Sequence, residues 1–380
     1  MAGINFPKTS YGETTTIKRS IVDQIELVSP RATPVLKRLS PGLNNLSEPC
    51  EEVKYEWVED ELSLTASTLA ASMSTSESPI TVASGHGEFF LLGHILLIDD
   101  EKFIVTTKGT TADAVAVSPG WGGTTATSHA ASSVVTIIGR AAVEGADAPD
   151  DSYTVPTIPY NYCQNFVAEV ALTDIEAAVK RWGVRDQWAY QEGKKLTETM
   201  KLVELGVFHS YPVLFAASTA GAMGGLENYI YASNKNSISS AAVKEDDLND
   251  LLQEIFGLVG EEFMPNLIIC NAWVRRKINS WYAPYARTER AESVGGVVID
   301  RIQTLWGEME VLLSLNCPAS KMYVLNTNMI GLGPLAGEAF HVMEIARTGT
   351  AEKRLLSGVY TMEMRNPKCH GMIYGISTSS

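Results

Sequence analysis

Two apolar periods run along this chain, and the switches between them divide it. Over residues 186–209, Trp188, Gln191, Leu196, Met200, Val203 and Val207 lie near one stripe, which predicts a helix of about 36 Å at ~1.5 Å per residue. Over 245–259, Leu248, Leu251, Leu252, Ile255 and Val259 sit at core spacing and predict another, and 272–281 a third. Thr173-Asp174-Ile175-Glu176 has the form of a capping box, with a hydroxyl for the N3 amide and a carboxylate that reaches back. Elsewhere the period drops to two. Val53, Tyr55, Trp57 and Glu59 alternate as one strand face. Over 66–143 the helical period vanishes. Short apolar runs at 95–98, 103–105 and 134–138 are separated by turn residues, including Asp99-Asp100-Glu101-Lys102, and predict a small β domain inserted into a host fold. Residues 267–270 read as a short buried strand, and 297–302, 309–313, 322–325, 340–345, 354–364 and 372–376 are strand-like. This mixed order of helices and strands predicts an α+β fold rather than a doubly wound one. Residues 1–46 hold Pro7, Pro30, Pro34 and Pro41, which cut any long helix. Only 16–28, with Ile17, Ile21, Ile25 and Val28 on one face, is expected to be helical there, in an arm pinned by a partner.

Composition sharpens this picture. A chain of 380 residues suggests two or three domains at ~150 residues each, and a hydrophobic fraction of 45% excludes disorder. Charged residues make up only 19%, against ~25% in ordinary domains, so much of the surface is expected to face other protein. The net charge of −14 argues against a direct grip on nucleic acid, which needs a basic face. The charge is uneven. The arm is net positive, through Lys8, Lys18, Arg19, Arg31, Lys37 and Arg38 against Glu13, Asp23 and Glu26. Residues 47–61 carry Glu48, Glu51, Glu52, Glu56, Glu59, Asp60 and Glu61 against Lys54 alone. Cys50, Cys163, Cys270, Cys317 and Cys369 are dispersed and read as reduced thiols of a cytosolic product. Residues 1–7 lack the basic and apolar regions of a secretory signal. The longest apolar run, 89–98, is about half the ~20 residues of a membrane span.

Candidate chemistry is sparse. Gly221-Ala222-Met223-Gly224-Gly225 is the one phosphate-loop lookalike, and it lacks the lysine that would reach a phosphate. It is expected to be a tight turn before Leu226. His86 and His94 have no cysteine or carboxylate at ligand spacing, and His129 lies in a Ser/Thr/Ala loop. Cys369 and His370 are neighbours, and on a strand would point to opposite faces, so a buried thiol and an exposed imidazole are expected. No flanking motif supports a nucleophile with its base. The acidic cluster lacks the spacing and glycine of a calcium loop and reads as a solvated strand edge. A polar loop at 284–296 carries Arg287, Glu289, Arg290 and Glu292. No enzyme, cofactor or metal is expected.

Four segments, in order, carry a resemblance. Ile25-Glu26-Leu27-Val28-Ser29-Pro30-Arg31-Ala32-Thr33-Pro34-Val35-Leu36 resembles the arm of a family of tailed-phage major capsid proteins. Residues 55–60 resemble its Trp-bearing strand, and Val143-Glu144-Gly145-Ala146-Asp147 its "EGAD" segment. Residues 346–354, 360–366 and 370–371 resemble its C-terminal signature. The resemblance implies the Hong Kong 97-type (Johnson) fold: an N-arm over 1–46, an E-loop over 47–172 with a β insertion at about 66–143, and a P-domain spine helix within 173–215. It further implies an A-domain over most of 216–335 and C-terminal P-domain strands over 336–380. The implied function is a major capsid protein that self-assembles into pentamers and hexamers around packaged double-stranded DNA, in a virion built in the bacterial cytoplasm. A separate scaffolding protein, a portal and a decoration protein are the implied partners, with DNA held by enclosure and no membrane. The opposite signs of arm and acidic strand make Arg31, Lys37, Arg38, Glu51, Glu52, Glu56 and Glu59 candidates for contacts between subunits, together with Arg287 and Arg290. Two other readings stand beside this one: an encapsulin-like cargo-enclosing shell of the same fold, and a soluble α+β enzyme or ligand-binding protein.

Overall fold

The computed structural model describes residues 33–147, 153–179, 186–282, 301–347 and 349–377. The helix expected over 16–28 and the residues Arg31, Arg287 and Arg290 lie outside them. The chain forms two compact units, one of Val58–Ile158 and one of the chain on either side of it.

The first unit opens with an element that the prolines did not predict. Helix α1 (Pro34–Leu39) begins with proline at its first turn, where the missing N–H costs nothing. Val35, Leu36 and Leu39 are buried in the main core. The amides of Val35 and Leu36 donate to Glu204 Oε2 at 3.0 and 3.2 Å. Strand β1 (Lys54–Glu56) then buries Tyr55 between exposed neighbours.

The second unit is a closed barrel. Its strands are β2 (Ala66–Thr68), β3 (Ile80–Thr81), β4 (His94–Ile98), β5 (Glu101–Thr107), β6 (Ala114–Ser118) and β7 (Val134–Arg140). They pair in the order β2-β7-β4-β5-β6-β3. Just beyond β2 and β3, Leu69 bridges Val82, with Ala70 N–H on Thr81 O and Ala83 N–H on Thr68 O. The two edges therefore meet, and a barrel leaves no strand edge free to pair elsewhere. Leu96, Ile98, Phe103, Val105, Val115 and Val135 fill the interior. His129 is buried against them. Its Nδ1 lies 2.7 Å from Asp99 Oδ2 and its Nε2 3.0 Å from Glu101 Oε2. Glu101 also accepts the amides of Gly120 and Thr127, so one carboxylate and one imidazole tie loop 119–130 to the β4–β5 hairpin. The sequence reading left His129 without a carboxylate because both partners come from about thirty residues away.

The first unit resumes with β8 (Tyr160–Tyr162), which pairs antiparallel with β1, and β9 (Gln164–Thr173). Short helix α2 (Asp174–Ala178) follows, capped by the Thr173 hydroxyl on the Glu176 amide. Helix α3 (Gln187–His209) runs 23 residues, and Asp186 Oδ1 accepts the amides of Trp188 and Ala189. Its buried residues fall in its C-terminal half. Next come α4 (Leu226–Tyr229), β10 (Lys235–Ser237), α5 (Glu245–Val259), β11 (Leu267–Cys270) and α6 (Ala272–Tyr282). The strands β12 (Arg301–Thr304), β13 (Gly307–Leu313), β14 (Lys321–Leu325), β15 (Ile330–Pro334), β16 (His341–Ile345), β17 (Ala351–Met364) and β18 (Gly371–Tyr374) complete the unit. One mixed sheet has the order β10-β18-β14-β11-β13-β12. It is covered on both faces, which explains the unbroken apolar run of β11. Leu267 and Ile269 pack into the core that holds α1 and α3. Ile268 and Cys270 pack into the core that holds α5 and α6. A second sheet is built on β17, flanked by β9 on one side and by β16 and β15 on the other.

The expectation for Cys369 and His370 is corrected here. Both are fully buried, because Pro367–Cys369 form a tight turn rather than a strand and alternation does not apply. His370 Nδ1 accepts the Asn326 amide and Nε2 donates to Arg365 O, so the ring is held neutral, and burial pulls its pKa down to about 4.

Two predictions follow from these buried groups. Glu204→Ala leaves the donors of Val35, Leu36, Ser314 and Asn316 unpaired and is expected to cost on the order of 3 kcal/mol, with α1 exposed to protease; an unchanged urea midpoint would refute this. For His129, burial opposes the charged ring, but the hydrogen bonds the ring donates to Asp99 and Glu101 outweigh it and raise the pKa. The stabilisation is therefore complete below the unfolded pKa of ~6.5 and is lost as pH rises through the folded value. The melting-temperature gap between the wild type and His129→Gln should narrow as pH rises above the ordinary imidazole value of ~6.5, and a gap that does not change with pH would rule the link out.

Candidate assembly surfaces

The amides of the glycine run are engaged within the fold. In the glycine run, Ala222 N–H donates to Val213 O, Met223 N–H to Gln164 Oε1, Gly224 N–H to Asn161 Oδ1 and Gly225 N–H to Ser210 O. None of these four amides is left for a phosphate. Gly225 is required because a Cβ there would meet the carbonyl oxygens of Val207, Gly206 and Ser210 within 2.8–3.1 Å. The run is thus a close pass over the last turn of α3, leading into α4. Among the described residues no group of three His, Cys, Asp or Glu side chains could hold a metal, and no helix is long and apolar enough to cross a membrane. A cleft of about 690 Å³ in the barrel unit is lined by Leu92, Ile104, Val143 and their neighbours, with Arg140 and Asp147 as its charges. It holds no nucleophile and base pair.

What remains is surface. The β9–β17–β16 ribbon has two unlike faces, set by strand register. On one, Val170, Arg354 and Leu356 turn toward α3. The Arg354 guanidinium stacks 4.4 Å from the Trp188 ring and pairs with Glu192 at 2.6 Å. Val170 and Leu356 are buried. On the other, Val167, Met343 and Ile345 are 48%, 43% and 41% exposed, beside Leu355 and the Lys353–Glu169 ion pair at 2.8 Å. No helix of the first unit covers that face among the described residues. At its far end α2 presents Ile175, 78% exposed. The bare face was not singled out in the sequence, because the strand pattern alone does not say which face a helix takes.

The charged candidates fall out as follows. Arg38 pairs with Glu310 of the same chain at 2.8 Å, and Lys37 is exposed. Glu51 and Glu52 are exposed, and Glu56 is paired with Lys54. Glu59 exchanges backbone hydrogen bonds with Thr157. Among the described residues no ion pair joins Lys37 or Arg38 to Glu51, Glu52 or Glu56 within the chain.

Comparison with known proteins gives this geometry its setting. The family model described as the SU10 major capsid protein matches residues 8–377. No curated protein sequence matches the chain. Among solved structures, the capsid asymmetric unit of cyanophage A-1(L) superposes with a TM-score of 0.58 at 11% identity, over 97% of this chain and 100% of that one. The capsid of a native GTA particle gives 0.53 at 8% identity, over 97% and 99%, and a protein of Microbacterium phage Oxtober96 gives 0.50 at 12%, over 97% and 98%. These likenesses span barrel and host alike and show a shared capsid fold. With a family match over residues 8–377 and a capsid fold shared along 97% of its length, the chain belongs to the SU10 major capsid protein family, shell proteins of tailed phages with the α+β Hong Kong 97-type fold.

Proposed function

We propose that this chain assembles into pentamers and hexamers that close an icosahedral head around double-stranded DNA. In this reading residues 1–46 lie across neighbouring subunits and 47–172 form the E-loop, with the β insertion at about 66–143. Residues 173–215 supply the spine, most of 216–335 meets its copies at the five- and six-fold axes, and 336–380 return to the P-domain. Assembly takes place in the bacterial cytoplasm with a scaffolding protein and a portal, and a decoration protein completes the virion surface. The net charge of −14 suits DNA held by enclosure, since a strongly basic wall would bind phosphate tightly and slow its entry.

The observation that carries the reading is the bare apolar face of the β9–β17–β16 ribbon. A monomer that leaves Val167, Met343 and Ile345 open on one sheet face gains from covering them with another copy, and a closed shell repeats that gain at every equivalent contact. Lys37 and the exposed Glu51 and Glu52 fit contacts between subunits, alongside Arg31, Glu56, Glu59, Arg287 and Arg290. Arg38 contributes there only by exchanging its partner Glu310.

Two measurements test this. Met343→Asp with Ile345→Asp changes exposed positions, so the melting temperature should hold. Particle yield by electron microscopy, with and without a co-expressed scaffold, should drop at least about tenfold, the effect of ~1.4 kcal/mol lost per contact; wild-type yield would refute the face. Glu52→Lys with Glu56→Lys should likewise lower yield in a salt-dependent way, and undiminished particles would remove the acidic strand from the interface.

A further inference from the structure

Cys50 and Cys163 are 113 positions apart in sequence, yet their sulfurs lie 3.6 Å apart. Both are buried, in a small cluster with Tyr55 and Trp57. Both thiols point at one acceptor, the carbonyl of Glu52, at 3.2 Å from Cys50 and 3.6 Å from Cys163. The backbone around them is fixed: Cys163 N–H donates to Val53 O and Ala336 N–H to Cys50 O. Cys50 is nonetheless only one residue deep, since Glu48, Pro49, Glu51 and Glu52 on either side of it are exposed. The pair stands where the chain leaves the first unit and returns to it, next to the β1–β8 pairing and the Trp57 N–H bond to Pro159 O. The segment it brackets contains the whole barrel.

We propose that Cys50 and Cys163 form a disulfide clip across the two chain segments that lead into and out of the barrel. The oxidant is a low-molecular-weight disulfide. A Cys50 thiolate attacks one of its sulfurs and releases one small thiol. Cys163, whose thiol is held above its usual value first by its hydrogen bond to Cys50 and then by burial, is freed from that bond once Cys50 is capped, loses its proton, displaces the second small thiol and forms the Cys50–Cys163 bond. Two protons leave the protein thiols, and the two electrons reduce the oxidant to two thiols. The geometry is supported by the electrostatics of the pair: the Cys163 S–H hydrogen bond holds the Cys50 pKa below the usual thiol value against the opposing effect of burial, so Cys50 is the attacking sulfur. The other cysteines, Cys270, Cys317 and Cys369, are buried as well; burial pushes the Cys270 thiol up to about 12 and the Cys317 thiol higher still. The timing of closure rests on the shell reading. Subunits made in a reducing cytosol stay open, and particles released to an oxidising medium close.

The test uses the full-length protein, as subunits and as particles, exposed to oxidised glutathione. The expected result is the loss of two of the five titratable thiols, a faster band on a non-reducing gel that dithiothreitol reverses, and a Cys50–Cys163 peptide by mass spectrometry. Cys50→Ser should keep all four remaining thiols, and Cys163→Ser should stop at the Cys50–glutathione mixed disulfide, with one thiol lost and no faster band. Retention of five thiols in the wild type, or a cross-link mapped to another pair, overturns the clip, and peptide mapping of the wild type decides even where a variant fails to fold. Particles that still lack the cross-link after exposure to oxidised glutathione count against the clip and leave the shell reading intact. A cross-link in protein that never forms particles does the reverse.

Discussion

A single buried carboxylate, Glu204, organises the first unit. It has no solvent exposure, and it accepts the amides of Val35 and Leu36 on one oxygen and Ser314 Oγ and Asn316 Nδ2 on the other. A carboxylate in such a place is tolerable only when its lone pairs are all engaged. The condition brings two distant stretches of chain, at 35–36 and 314–316, onto the buried half of α3. Because α1 is too short to stand alone, its place is set by this acceptor and by the apolar contacts of Val35, Leu36 and Leu39. Glu363 repeats the device further along: it is buried and receives the amide and hydroxyl of Ser47. Between them, Asn45 pairs with Leu332 through both backbone and side chain. The run from Thr33 to Ser47 is thus laid down by a row of polar anchors rather than by its own propensity.

That construction explains what the sequence could and could not say. Helices α3 and α5 were legible to within a residue, because their stripes are long and their starts carry local caps at Asp186 and Asp247. The buried run of β11 was legible because apolar cover on both faces leaves no alternation to miss. Helix α1 was not. Four prolines in 46 residues read as breakers, while Pro34 in fact opens the helix and the compensating acceptor lies 168 positions away. Strand β15, Ile-Gly-Leu-Gly-Pro, hid for a related reason. Its glycines make room for the chain at 44–46, since a Cβ on Gly331 or Gly333 would collide with Asn45 or Leu46. The surface candidates were legible only as charge. The apolar face of the ribbon depends on which side α3 occupies, a tertiary choice.

The two units solve the edge problem differently. The barrel closes on itself through Leu69 and Val82, so its strands offer no backbone to another chain, and its low charge is spread over a saturated wall. The ribbon keeps β16 as an open edge and one face uncovered. An open edge beside an uncovered apolar face is the form of a surface that binds another chain.

The anchors of α1 also govern the order in which the molecule can be finished. The hydrogen-bond partners of the run from Thr33 to Ser47 are reached in stages: Glu204 just past mid-chain, then Glu310 and Leu332, and last Glu363. On the ribosome this segment emerges early, meets its first acceptor at Glu204, and meets its last, Glu363, only after the ribbon pairing over residues 351–360 has been made. Docking of residues 33–47 is thereby completed in steps, and its last hydrogen bonds, from Ser47 to Glu363, close only when β17 is in place.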